Sequence, residues 1–94
     1  MVQRIPIAYT PGFLRIHDYK SGYIKASMAQ LRIYAAIFFL EYGPLDIWLD
    51  NTDVELRIYQ SNDVVIENPE KTLIADIMTN IVQKDSLLQR LKGD

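Results

Sequence analysis

The sequence predicts an α+β fold: one antiparallel sheet covered by two helices, with elements in the order β-β-α-β-β-β-α. Three observations carry this. Two stretches, residues 23–42 and residue 70 onward, hold apolar side chains at helical spacing. Before and between them, apolar residues recur at every second position. Turn-forming clusters separate the stretches: Thr10-Pro11-Gly12, Lys20-Ser21-Gly22, Gly43-Pro44, Asn51-Thr52, Ser61-Asn62-Asp63 and Asn68-Pro69.

In chain order, Val2–Tyr9 alternates loosely, and Pro6 within it points to an edge strand, because the ladder loses a donor there. Phe13–Tyr19 alternates cleanly, with Leu14, Ile16 and Asp18 on one face and Phe13, Arg15, His17 and Tyr19 on the other. Ser21 offers a cap for a helix over Tyr23–Tyr42, which Gly43 and Pro44 end. In that helix Ile24, Met28, Leu31, Ala35, Phe38 and Tyr42 share a face, while Tyr34, Ile37 and other apolar residues spread around the rest. Such a helix is buried on several sides or gives one side to another molecule. Its β-branched and aromatic residues leave a buried strand at 31–40 as the competing reading; Ala26, Met28, Ala29, Gln30, Ala35 and Ala36 favour helix.

After Pro44 the period falls to two. Leu45, Ile47 and Leu49 alternate with Asp46, Trp48 and Asp50; Val54, Leu56 and Ile58 alternate with Glu55, Arg57 and Tyr59; Val64–Glu67 follows a tight turn. These read as a three-stranded antiparallel meander. Asn68 and Pro69 then suit the N-cap and first position of a second helix, with Leu73, Ile74, Ile77, Met78, Ile81, Val82 and Leu88 on one stripe and a kink allowed at Lys84-Asp85-Ser86.

The 94 residues are expected to form a single domain. Cysteine is absent, which excludes disulfides, a thiol nucleophile and thiolate metal sites. The opening residues lack the apolar core of a signal peptide, so a cytoplasmic location is expected. Only eight apolar residues run uninterrupted between Arg32 and Glu41, against the ~20 that a membrane span needs. Net charge is −2 and unevenly placed: residues 1–40 hold five cations and one anion, residues 41–94 five cations and eleven anions.

No catalytic or cofactor motif is present. The four glycines are scattered, so neither a phosphate loop nor a dinucleotide fingerprint can form. Asp46, Asp50, Asp53 and Glu55 cluster in sequence but lack the glycine and terminal glutamate of a calcium loop, and they suit a turn and a charged strand face as they stand. His17 is the single histidine, and its neighbour Asp18 points to the opposite face. The expectation is therefore a small non-enzymatic module that binds protein and self-associates, most simply as a dimer, without cofactor or metal. Its contacts would be Trp48 and Tyr59 as a cross-strand aromatic anchor, Asp46 and Asp50 around them, and Phe39 from the surplus apolar surface of the first helix. The alternative is single-stranded nucleic acid or a nucleotide held on the first hairpin by Arg15, Tyr19, Lys20 and Lys25, where cations interleave with rings.

Overall fold

The computed structural model describes residues 6–20, 27–43, 47–60 and 62–91, without the side chains of 88–91. It shows an α+β fold with one four-stranded sheet and two helices. Strands β1 (Ile7–Thr10) and β2 (Phe13–Lys20) form a hairpin, α1 (Met28–Tyr42) follows, then strands β3 (Asp53–Gln60) and β4 (Asp63–Glu67), and finally α2 (Lys71–Leu91). The spatial order is β1-β2-β3-β4. Of the sequence-predicted elements, Val2–Ile5, Ser21–Ala26, Pro44–Asp46 and Lys92–Asp94 lie outside the described residues.

The sheet is mixed, and this corrects the antiparallel expectation. β1–β2 and β3–β4 are antiparallel, but β2 and β3 pair in parallel over eight residues, from Phe13 opposite Asp53 to Lys20 opposite Gln60. The cause is the connection. Thirty-two residues that include a helix separate the two central strands, and such a crossover returns the chain to the end where β2 began. Gly12 marks that end. Its φ of 88° lets it close the β1–β2 turn, and its carbonyl accepts the Asp53 N–H at 2.9 Å, which locks the start of β3 to the turn.

The sequence-predicted strand at 45–50 is also corrected, and with it the meander. Residues 47 and 48 are irregular and Leu49–Asn51 is a single 3₁₀ turn. The Ile47 N–H donates to the carbonyl of Tyr42, and the Thr52 hydroxyl donates to the carbonyl of Trp48 at 2.8 Å, so the segment folds back on the end of α1. Its alternation is real but serves packing: Ile47 and Leu49 lean on the core while Trp48 and Asp50 stay outside.

Residues 31–40 are helix, despite their strand-forming side chains. Leu31, Ala35, Ala36, Phe38 and Phe39 are buried, and with Leu14, Ile16, Val54, Leu56, Ile58 and Ile74 they make the core. Packing of that face outweighs local preference. The helix ends at Gly43, as expected, in right-handed conformation (φ −53°) with its N–H on the Phe39 carbonyl. Asn68 does not cap α2: its side-chain amide donates to the Val54 carbonyl at 3.3 Å and ties the β4–α2 loop to β3. α2 runs through Lys84–Ser86 without a break, about 31 Å in all. Its first half packs on α1 through Ile74, Ile77, Met78 and Ile81, whereas Val82–Leu87 are exposed.

Both helices thus lie on one side of the sheet. Ion pairs stitch the cation-rich first half of the chain to the acidic second half: Arg15 meets Glu55 at 2.8 Å, and Arg32 on α1 meets Glu67 on β4 through two hydrogen bonds of 2.5 and 2.6 Å.

Two predictions follow from this packing. Ile74 is fully buried and joins α2 to the core, so Ile74→Ala should cost about 2–5 kcal/mol of unfolding free energy, read by urea denaturation. The hydrogen bond from Arg32 holds the Glu67 carboxyl below its ordinary value of 4.5. A lowered carboxylate pKa gives stability that is present above about 4.5 and lost as pH falls through the folded value. Arg32→Gln should therefore flatten the loss of stability between about pH 5 and 3 relative to the wild type, measured by the same denaturation at each pH.

Candidate functional site

The face of the sheet opposite the helices is not covered by any described residue. Alternation along β2 and β3 places Phe13, Arg15, His17 and Tyr19 there beside Asp53, Glu55, Arg57 and Tyr59. Because the two strands are parallel and in register, Arg15 lies opposite Glu55, His17 opposite Arg57 and Tyr19 opposite Tyr59. The sequence predicts the first set as one face; the parallel pairing brings the second set alongside it.

Three rings stand close to parallel at the end where β2 and β3 finish. Tyr19 and Tyr59 stack with centroids 4.8 Å apart and planes 12° from parallel, and the His17 ring lies 5.8 Å from Tyr59 at 15°. Tyr19 is 65% exposed, the most open of the large side chains on this face. Next to the rings, one carboxylate serves two guanidiniums: Glu55 Oε1 accepts from Nε of both Arg15 and Arg57. Arg57 also donates to the Tyr59 hydroxyl at 3.2 Å, and the Arg15 guanidinium sits 5.1 Å above the Phe13 ring. Burial pushes the Glu55 carboxyl up, but the hydrogen bonds from Arg57 and Arg15 outweigh it and hold the group below the usual carboxylate range. Desolvation, then the charges of Arg15 and Arg57, lower the His17 pKa from 6.5, and its Nδ1 has no hydrogen-bond partner among the described residues.

The structure places the other sequence-predicted candidates elsewhere. Trp48 is 54% exposed in the loop after α1, over Gly43, and not on a strand; it does not pair with Tyr59, whose partner is Tyr19. The cross-strand pair fails because the segment that carries Trp48 never joins the sheet. Phe39 is 2% exposed, held edge-on against Phe38 inside the core, so it presents no surface to a partner. Asp50 is exposed and its main-chain carbonyl accepts from Lys71 Nζ at 2.7 Å. Asp46 and Lys25 lie outside the described residues. Lys20 has the parity of the helix-side residues and pairs with the buried Asp18 at 3.1 Å, away from Arg15 and Tyr19. Arg57 and the pairing of Tyr59 with Tyr19 were missed; the signal for Arg57 was its period-two placement between Glu55 and Tyr59.

A second feature concerns the rim of the sheet. Among the described residues β4 pairs with β3 alone, and Val64, Val65 and Ile66 are each about half exposed (51, 51 and 50%). Elsewhere, α1 leaves Ile33, Ile37 and Tyr42 partly in solvent; Ile37 and Tyr42 line an open cavity of about 450 Å³ with Ile7, Tyr9 and Phe38. No group of three or more acidic or histidine side chains is placed to hold a metal ion among the described residues, and no described helix is long and apolar enough to cross a membrane. Comparison with protein families, with curated proteins and with solved structures finds no match to this chain.

The environment of His17 generates a prediction. A lowered histidine pKa means that the unfolded chain takes up the proton first, so this contribution to stability is complete above pH 6.5 and lost as pH falls towards the folded value. NMR titration of the His17 ring should give a midpoint below 6.5, and Arg57→Gln, which removes one of the charges that depress it, should move that midpoint upward.

Proposed function

We propose that the chain acts by binding and not by catalysis, as a protein-interaction module that self-associates through the free edge of β4. The exposed edge carries this reading. Three consecutive apolar residues, Val64-Val65-Ile66, sit half in solvent on a strand whose outer backbone groups have no strand partner among the described residues. An unpaired edge is a template for another strand, and single chains usually blunt it with charge, proline or a bulge. Here the charges, Asp63 and Glu67, fall at the two ends of β4 and leave its centre bare.

The occupant we infer is the β4 of a second copy. Two identical edges related by a two-fold axis perpendicular to the sheet can pair antiparallel, which extends the sheet to eight strands with both sets of helices on the same face. Glu67 is already neutralised by Arg32, so it presents less unpaired negative charge to a neighbouring edge. Hydrogen bonds along the strands would supply register, and Val64, Val65 and Ile66 would supply the apolar burial that an edge alone lacks. The non-catalytic part of the reading is supported by His17. It faces two arginines and two tyrosines; the carboxylate on its own face, Glu55, is held by both arginines, and Asp18, its nearest carboxylate in sequence, is on the other side of the sheet, bound to Lys20.

Light scattering coupled to size exclusion tests the reading. The wild type should run as a dimer at concentrations above the dissociation constant, and Val65→Lys, which puts a charge at the centre of the edge, should run as a folded monomer with unchanged far-ultraviolet circular dichroism. A wild type that stays monomeric over a roughly hundredfold concentration range, or a Val65→Lys dimer, would refute pairing through β4.

A further inference from the structure

We propose that the uncovered sheet face is a binding site for single-stranded nucleic acid, with Tyr19 and Tyr59 as the base-stacking platform and Arg15 and Arg57 as the phosphate contacts. This site adjoins the β4 strand, since Ile66 and Val64 lie opposite Arg57 and Tyr59, but it does not rest on dimer formation.

Four properties of the face converge on that ligand. The rings are planar, near-parallel and set on the two central strands of a four-stranded sheet, where an unstacked base can lie against them without meeting a helix. Stacking of this kind accepts any base, since every base has a π-face. Tyr19 is open to solvent over most of its surface, so the existing stack can be extended by one more flat group. The Tyr59 hydroxyl is held by Arg57, which fixes its ring while the Tyr19 hydroxyl stays free of any described partner. Charge provides the rest. Arg15 and Arg57 share the one carboxylate of Glu55, which leaves this patch with one positive charge in excess. The other acid on this face, Asp53, lies two residues from the level of Arg15, about 7 Å along β3, but four residues from Arg57, about 13 Å, so the excess sits at the Arg57 and ring end. At the ring end, Asp18 and Asp63 have helix-side parity, and Asp18 is neutralised by Lys20.

A duplex does not suit the face, because its bases are already stacked on one another and present only edges. A free nucleotide offers the same chemistry of base and phosphate, but only one base for the stack and one phosphate group for the two guanidiniums. A strand, with a phosphate at every residue, can engage Arg15 and Arg57 along the direction of β2 and β3 together.

Fluorescence anisotropy with a short labelled oligouridylate, at about 50 and about 200 mM salt, reads the proposal directly. Binding is expected with a slope of log affinity against log salt near −1.4, about −0.7 for each of two phosphate contacts. Tyr19→Ala and Tyr59→Ala should each weaken it by about five- to hundredfold, while Tyr19→Phe, which keeps the ring, should bind as the wild type does. Arg57→Gln should halve the salt slope. Circular dichroism of each variant establishes that it is folded. Absence of binding at the lower salt would overturn the proposal, as would a folded Tyr19→Ala protein that binds with wild-type affinity. Uridine monophosphate that competes at the same site concentration as the oligonucleotide would overturn the assignment to a strand.

Discussion

The parallel pairing of β2 with β3 is the constraint on which the rest of the molecule depends. It follows from a helix lying between two strands that are neighbours in the sheet, and it has two consequences. On the helix side it puts Leu14, Ile16, Leu56 and Ile58 abreast, so that α1 can bury one continuous floor with Leu31, Ala35, Phe38 and Phe39. On the open side it puts Arg15 beside Glu55 and Tyr19 beside Tyr59. An antiparallel pairing of the same two strands would reverse β3 and set Tyr59 near Phe13, with no ring stack. The open-face geometry is therefore a product of topology, and the Asp53–Gly12 hydrogen bond at the turn holds its register from the first residue.

What the residues disclosed about the fold depended on whether the relevant physics was local. Alternation in Phe13–Tyr19 and Asp53–Gln60 reports a half-buried strand directly, and both strands are where it places them. The helical period of residues 71–91 was equally direct. Failures came where a pattern had two physical causes. Leu45–Asp50 alternates as a strand would, yet Ile47 and Leu49 are sorted inward because the loop is pressed against the end of α1, beside Phe39 and Met78. Strand direction was illegible for a different reason: the hydrophobic pattern of a strand is the same read either way, and only the crossover decides it. The expected strand at 45–50 stood between the helix and Asp53–Gln60, so β3 was read as a meander strand and not as the parallel neighbour of β2. At the open face, the parity of Arg15, His17 and Tyr19 could be read from one strand, but their neighbours on β3 could not.

The surplus apolar surface of α1, the feature that first suggested a partner, is distributed differently from expectation. Phe39 is internal, and the helix residues left in solvent are Ile33, Ile37 and Tyr42, each well under half exposed or close to it. Single side chains in that range are ordinary for a small domain, whose surface is largely apolar in any case. Three adjacent apolar residues on an edge strand are not ordinary in the same way, because there side-chain burial and backbone hydrogen bonding favour the same event. That coincidence shifts the weight of the interaction from the helix to the sheet edge.

Charge is the last link, and here global and local balances part. The chain as a whole is acidic, and the sequence divides into a cationic first part and an anionic second part. Folding cancels much of that division, since Arg15 and Arg32 from the first part take Glu55 and Glu67 from the second. Arg57 escapes full cancellation: it comes from the acidic part, sits in the centre of the sheet, and must share its carboxylate with Arg15. Two guanidiniums on one carboxylate keep hydrogen-bonding capacity that a one-to-one pair would satisfy internally, since each has five N–H donors and Glu55 Oε1 takes one from each. A net charge of −2 thus says little about what this face attracts, because a ligand that lies across β2 and β3 meets Arg15 and Arg57 at distances of a few ångströms, well inside a Debye length of about 8–10 Å.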